Sequence, residues 1–197
     1  MSTAKVINLV HPSGSTNNLV LDNAGNVVGG GTIADSTAIL RPKVLGTPVA
    51  STSGTSIDFT GIPSWAKRVT VMLNGVSLSG TSVPVLQVGS SSGGIESTGY
   101  TATIGNRAGE IFPTTYMQLW YNGATSAAYL YTGIVTLGLI NNTGNIWVGS
   151  GLVSANSAAP SMSNMTKSIS SILDRVRITT ANGTDTFDAG SINIMYE

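Results

Sequence analysis

Turn-forming residues interrupt the sequence so often that it leaves no room for a long amphipathic helix. The 197 residues include 24 glycines and 7 prolines, and the apolar residues between them alternate with polar ones instead of recurring every third or fourth position. Val69, Val71 and Leu73, for example, fall on one face of an extended strand and the residues between them on the other. Short alternating segments separated by frequent turns are typical of sandwiches and barrels. The sequence therefore predicts an all-β chain.

The strand pattern divides the chain into two parts. Residues 1–43 contain the short apolar segments Val6–Val10 and Leu19–Leu21, which are too small to bury a core by themselves and so require a partner. We predict an N-terminal attachment or oligomerisation segment with a linker over residues 1–43, formed as an extended chain or hairpin. Residues 44–197 are predicted to form a β-sandwich of the jelly-roll type. Its expected strands are 44–50, 56–60, 68–74, 83–88, 99–104, 115–122, 127–140, 145–154, 165–172, 175–180 and 191–196.

Charge is scarce and balanced. Nine Lys and Arg residues oppose nine Asp and Glu residues, and only 9% of the chain is charged, against about 25% in an ordinary soluble domain. Only Lys67 and Arg68 are adjacent basic residues, so we expect no nucleic-acid partner, which would need a basic stripe to neutralise phosphates. A chain of zero net charge tends to self-associate. We therefore predict that much of its surface is covered by other subunits.

The sequence contains neither a segment typical of a transmembrane helix or signal peptide nor a thiol group. The most apolar run, Ala127–Ile140, is too short for a transmembrane helix and is interrupted by threonine and glycine. The apolar stretch Val6–Val10 is too short for the core of a signal peptide, so export by the general secretory route is not expected. Because the chain has no cysteine, disulfides and sulfur-based metal sites are excluded. We predict no membrane partner.

Motifs for catalysis are weak. Gly89–Gly93 matches the pattern G-x-S-x-G, but the nucleophile elbow needs a following helix and a later histidine, and the single histidine, His11, lies upstream. Asp185 and Asp188, close to Asn182, match no calcium-loop spacing and are typical of turns. We predict that the protein is not an enzyme and has no catalytic residue, metal site or cofactor.

The aromatic residues are more informative about function than these motifs. In the expected strand 115–122, Tyr116 and Trp120 share one face, and Tyr129 and Tyr131 repeat the pattern in the following strand. Two interpretations follow: these residues form core or a subunit interface, or they form a platform on which pyranose rings stack.

Two phrases of the sequence resemble a known class of proteins. His11–Val27, HPSGSTNNLVLDNAGNV, resembles a segment of the structural proteins of tailed bacteriophages, especially tail-fibre, collar and appendage proteins. Ser56–Val71, SIDFTGIPSWAKRVTV, together with Asn74–Ser77, is similar to a module common in phage and prophage virion proteins. The two phrases cover about a fifth of the chain.

The resemblance implies a virion location and a trimeric assembly, and it brings no catalytic residues. Our leading hypothesis is a homotrimeric capsid-decorating (cement) protein or a short fibre, which binds another virion protein, of the capsid or the tail. The alternative is a tail-fibre module that binds a host receptor or surface glycan through the aromatic platform. In either case, we expect oligomerisation or attachment to use the apolar residues of the N-terminal segment, namely Val6, Ile7, Leu9, Val10, Leu19 and Leu21.

Overall fold

The computed structural model describes residues 43–197, apart from residues 107, 122–124 and 157–158, together with four short strands within residues 1–42. By its internal contacts the chain divides into two compact units, Met1–Pro42 and Lys43–Glu197. The described residues form strands and turns but no helix, so the predicted all-β class is confirmed. None of these residues forms a helix that could cross a membrane.

The described residues of the first unit form two small antiparallel pairs. Strand β1 (Asn8–Val10) pairs with β2 (Asn17–Val20), and β3 (Ala34–Asp35) pairs with β4 (Ala38–Ile39). The residues predicted for attachment divide between this pair and the chain outside the described residues: Leu9 and Val10 in β1, Leu19 in β2, and Val6, Ile7 and Leu21 outside. Their role in attachment or oligomerisation stays a prediction.

The described residues of the second unit form fourteen strands. They are β5 (Val44–Leu45), β6 (Val49–Ala50), β7 (Ser56–Thr60), β8 (Arg68–Leu78), β9 (Pro84–Ser90), β10 (Gly94–Ile95), β11 (Thr101–Asn106), β12 (Gly109–Ile111), β13 (Met117–Gln118), β14 (Tyr131–Asn141), β15 (Ile146–Ala155), β16 (Ser161–Ser168), β17 (Arg175–Thr180) and β18 (Phe187–Tyr196).

These strands form two antiparallel sheets. The larger has nine strands, in the order β12-β11-β16-β15-β14-β8-β18-β5, with β6 also paired to β18. The smaller has five, in the order β10-β9-β17-β7, with β13 also paired to β9. The hairpin-linked strands β14, β15 and β16 therefore lie in the middle of the larger sheet.

The eight described strands of six or more residues pair in a nested order. The first, β8, pairs with the last, β18, and the second, β9, pairs with the seventh, β17. The third, β11, pairs with the sixth, β16, and the fourth, β14, pairs with the fifth, β15. Three of these pairs lie in the nine-stranded sheet, and the β9–β17 pair lies in the five-stranded sheet.

Buried side chains from both sheets form one hydrophobic cluster. The nine-stranded sheet contributes Val69, Val71 and Leu73 from β8, while the five-stranded sheet contributes Val176 and Ile178 from β17. The predicted alternation within β8 is thus confirmed, because the residues between these three point away from the cluster. Each sheet has an inner face that packs into the cluster and an outer face that does not.

The dipeptide Asn-Gly, which occurs at 74–75, 122–123 and 182–183, predicts tight hairpin turns, but this prediction is wrong at Asn74-Gly75. Both residues lie inside β8, where Gly75 has a φ of 62° and the register with β18 shifts opposite it. The pair forms a β-bulge, which uses the same left-handed glycine as a hairpin turn and so has the same sequence signal. Asn182-Gly183 connects β17 to β18, which belong to different sheets and form no hairpin. Asn122-Gly123 lies outside the described residues.

Candidate interaction surface

The outer face of the nine-stranded sheet carries a row of exposed apolar side chains. The register places Ile134 of β14 opposite Leu152 of β15, and Leu152 opposite Met162 of β16, and residues opposite each other in an antiparallel pair share a face. Their exposed fractions are 55%, 55% and 64%. Met72 of β8, which is partly buried, continues the row beside Ile134. We refer to these four residues as the apolar row.

Hydroxyl and amide side chains run parallel to the apolar row on the same face. These side chains lie two residues away from the apolar row along each strand. The register aligns them across five neighbouring strands, from β8 to β11: Thr70, Thr136, Ser150, Asn164 and Thr103. Each of these side chains both donates and accepts hydrogen bonds. We refer to this set as the polar row.

The three central strands present no charged side chain on this outer face. Twelve of their outward positions, which we call the neutral face, are Thr132, Ile134, Thr136, Gly138, Val148, Ser150, Leu152, Ser154, Met162, Asn164, Thr166 and Ser168. The nearest charged side chains among the described residues stand at its margins: Arg68 at the start of β8, with its ion-pair partner Glu197 and with Lys43, and Glu110 in β12. Exposed surfaces normally intersperse charged residues, and these twelve adjacent positions carry none.

The one charged residue of β16, Lys167, points to the inner side of the sheet. Its Nζ lies 2.5 Å from Glu96 Oε2, with both side chains largely buried, and 5.4 Å from the centroid of the Tyr100 ring. Glu96 Oε1 accepts a hydrogen bond from the backbone N–H of Ser170 at 2.7 Å. The alternation of β16 therefore keeps this charge off the neutral face and pairs it within the fold.

The environment of Glu96 favours its ionised form. Burial acts to raise the pKa of the carboxyl, but the hydrogen bonds from Lys167 and from Ser170 outweigh burial and hold the pKa below its ordinary value. The Glu96 carboxyl is consequently ionised at neutral pH, and its contact with Lys167 links β16 to the chain that follows β10.

A groove extends the same surface to the edge of the sheet. It has a volume of about 820 Å³ and is lined by members of both rows and by the β11–β12 turn, including Leu152, Met162, Thr103, Asn164, Asn106 and Glu110. Asn106 Oδ1 accepts a hydrogen bond from the backbone N–H of Ala108 at 2.7 Å, which shapes the turn. The groove is thus continuous with the apolar row.

The predicted glycan platform is not exposed. Trp120 and Tyr131 are each only 1% exposed, and Tyr116 and Tyr129 are partly buried against the hydrophobic cluster. The rings of Trp120, Tyr129 and Tyr131 pack on one another at centroid distances of 5.7–6.2 Å. A pyranose needs an open ring face for stacking, so the assignment of Trp120 and Tyr131 to a glycan platform is wrong, and both are core residues.

The alternation that suggested the platform fails because its strand is short. Among the described residues of the expected strand 115–122, only Met117 and Gln118 form a strand, β13. Beyond them the chain leaves the strand, and four consecutive residues from Met117 to Trp120 are buried. Gln118 is satisfied internally, since its Nε2 donates to the backbone oxygen of Trp120 at 2.6 Å.

The weak catalytic motifs form turns. Gly89–Gly93 belongs to the hairpin between β9 and β10, where Ser90 Oγ accepts a hydrogen bond from the backbone N–H of Gly93 at 3.0 Å. Asp185 accepts hydrogen bonds from the backbone N–H of Ser82 and from Asn182 Nδ2, each at 2.8 Å. Among the described residues no group of His, Asp or Glu side chains is arranged to hold a metal ion. His11 lies outside the described residues.

Sequence reasoning did not find the neutral face. The alternation in β16 is hidden because two of its inward residues, Ser161 and Ser163, are as polar as their outward neighbours. The expected strand at this position began four residues late, at Met165. The alignment of rows across strands depends on pairing register, which a single sequence does not state.

Comparison with known proteins finds no protein-family model, no curated protein and no solved structure that matches this chain. Inferences about its function therefore depend on its own surfaces.

Proposed function

We propose that the protein is a non-enzymatic structural component of a tailed-phage virion. In this proposal it is a homotrimeric capsid-decorating (cement) protein or a short fibre. Its N-terminal segment attaches to another virion protein, of the capsid or the tail, and the domain of residues 44–197 is displayed as a jelly-roll head.

The observation that carries the proposal is the neutral face. A charge that leaves water on assembly must find a partner or pay a large desolvation cost. Twelve adjacent outward positions without a charge can be covered by another subunit without that cost. Permanent assembly of many copies is the task of a virion structural protein, and the chain's zero net charge favours the same behaviour.

The strand pairing supports the jelly-roll part of the proposal. In a jelly roll of eight strands, the first strand pairs with the last, the second with the seventh, the third with the sixth and the fourth with the fifth. These strands divide between two sheets. The eight long strands here pair in that nested order. The division between sheets is uneven, because β14 also pairs with β8 and so joins the larger sheet.

The phage assignment rests on the similarity of His11–Val27 and Ser56–Val71 to virion proteins. In the second phrase, Ser56–Thr60 forms β7, and Arg68 begins β8. The phrase therefore spans one strand of each sheet, together with the connection between them. It contributes Phe59, Val69 and Val71 to the hydrophobic cluster.

The proposal is tested on purified particles of the phage or prophage whose genome encodes the chain. Mass spectrometry is expected to detect the chain in many copies per particle, and cryo-electron microscopy is expected to place it on the capsid or on the tail. The capsid position would identify a cement protein and the tail position a fibre. Absence of the chain from particles purified to constant composition, while it is present in the infected lysate, would overturn the proposal.

A further inference from the structure

We infer that the neutral face is the surface through which copies of this chain contact one another, so that its occupant is a second copy of the same domain. The inference rests on the proposed homo-oligomer and adds to it the surface that is buried. Three properties of the face support it: its chemistry, its extent and the position of its apolar residues.

The residue types of the neutral face suit contact with another copy of the chain. The side chains of the polar row, such as Thr136, Ser150 and Asn164, can each donate and accept, so the hydroxyl and amide groups of a neighbouring copy supply matching partners. The apolar row supplies a dry strip beside it. A strongly acidic or basic partner would meet no opposite charge among the twelve positions, and complementary charge is what such partners require.

The extent of the face suits a protein–protein contact. Neighbouring strands lie about 4.8 Å apart and residues about 3.4 Å apart along a strand, so the three strands of the neutral face cover roughly 400 Å², and β8 and β11, which carry the ends of the polar row, bring the area to roughly 600 Å². Met195 of β18 and Leu45 of β5 continue the line of Thr70 on the same face. With these two strands the area reaches roughly 800 Å², the share that each partner contributes to a standard interface.

The apolar residues lie where an interface needs them. Leu152 occupies β15, the central strand of the five, and Ile134 and Met162 stand on either side of it. The charges of Arg68, Glu197 and Lys43 lie together at one margin, and that of Glu110 lies at the edge strand β12. Stable interfaces have the same plan, with an apolar centre and a polar rim.

The first test measures molar mass by size-exclusion chromatography with light scattering at micromolar concentration. The variants are Leu152→Lys, in the centre of the apolar row, and Ile172→Lys, a control in the loop before β17 that is 53% exposed against 55% for Leu152. Both side chains are exposed in the single chain, so circular dichroism is expected to show that both variants fold. The wild type and Ile172→Lys are expected to have a multiple of 20.1 kDa, and Leu152→Lys is expected to lose the oligomer.

The outcomes separate this inference from the proposed function. A wild type that remains at 20.1 kDa overturns the homo-oligomer and the inference together. If the oligomer persists in Leu152→Lys, or if both lysine variants dissociate it, the neutral face is not its interface. Either result overturns this inference, while the homo-oligomer itself remains supported.

A second test uses the absence of cysteine from the chain. Ser150→Cys places a single thiol in the polar row, and Ser53→Cys places one at an exposed loop position elsewhere. Each cysteine variant is labelled with a maleimide as the intact oligomer, and labelling is expected to be slower at position 150 than at position 53. When Leu152→Lys is added to each variant, the two positions are expected to react equally fast. Equal rates in the intact oligomer would overturn the inference.

Discussion

Lys167 Nζ lies 2.5 Å from Glu96 Oε2, and this ion pair joins the two sheets of the domain. Lys167 belongs to β16 of the nine-stranded sheet, and Glu96 directly follows β10 of the five-stranded sheet. Tyr100 strengthens the link, because its hydroxyl donates to the backbone oxygen of Glu96 at 3.0 Å and accepts from the backbone N–H of Val88 at 2.9 Å. Lys167 is the only buried charged residue in the described part of the chain.

Replacing Glu96 by glutamine is expected to destabilise the domain by about 3 kcal/mol, because it leaves the Lys167 ammonium buried without a counter-charge. The measurement is the free energy of unfolding in urea at neutral pH. The double variant Glu96→Gln with Lys167→Met is the control, since it removes the unpaired charge and is expected to recover most of the loss. A single variant as stable as the wild type would show that the pair contributes no stability.

The same pair predicts a loss of stability in acid. The pKa of Glu96 is lowered on folding, so its contribution is fully present above the ordinary value of 4.5 and is lost as the pH falls towards the folded pKa. Below that range Glu96 is protonated and resembles glutamine. The difference in unfolding free energy between the wild type and Glu96→Gln is therefore expected to shrink from neutral pH to about pH 3. A difference that does not change with pH would contradict this prediction.

Glu197 provides an internal comparison for the acid series. A hydrogen bond from Lys43, and the nearby charge of Arg68, also hold the pKa of Glu197 below its ordinary value. Both partners are largely exposed, and exposed ion pairs contribute little. The Glu96→Gln variant is thus expected to retain only a weak dependence on acid pH.

The sequence predicts strands well where alternation and burial coincide. Strands β7 and β17 begin and end at the expected residues, because each has apolar residues on a single inward face between clear turn signals. The region from Thr115 to Trp120 is mispredicted for the opposite reason. Its aromatic residues satisfy an alternating pattern, yet they are buried by packing around a two-residue strand, and a pattern does not distinguish these causes.

The candidate surface was beyond the sequence because it is a property of register. Ile134, Leu152 and Met162 become neighbours only when three strands pair at particular offsets, and a shift by one residue would turn each of them inward. Low charge led to the prediction that some surface is covered, but it did not indicate which one.

Two glycines of β14 are expected to respond oppositely to alanine. A Cβ at Gly133 would overlap the backbone oxygen of Leu152 and lie 2.7 Å from the Cα of Val153, whereas a Cβ at Gly138 meets nothing within 4 Å. Gly133→Ala is expected to destabilise the domain by roughly 2 kcal/mol or more because the paired strand must move. Gly138→Ala is expected to be neutral or to stabilise it by about 0.5 kcal/mol. Urea unfolding of both variants checks the contrast, which equal effects would contradict.

Trp120 is expected to act as a core residue and not as a ligand-binding one. Its ring packs against Tyr131 at 5.7 Å and against Tyr129 at 5.9 Å, so Trp120→Ala opens a cavity and is expected to cost about 3–5 kcal/mol in unfolding free energy. Phe112→Ala is the matched control, because Phe112 is an exposed aromatic residue and its loss is expected to change stability by less than about 0.5 kcal/mol. A Trp120→Ala domain with wild-type stability but impaired binding to a host polysaccharide would contradict the core assignment and restore the glycan platform.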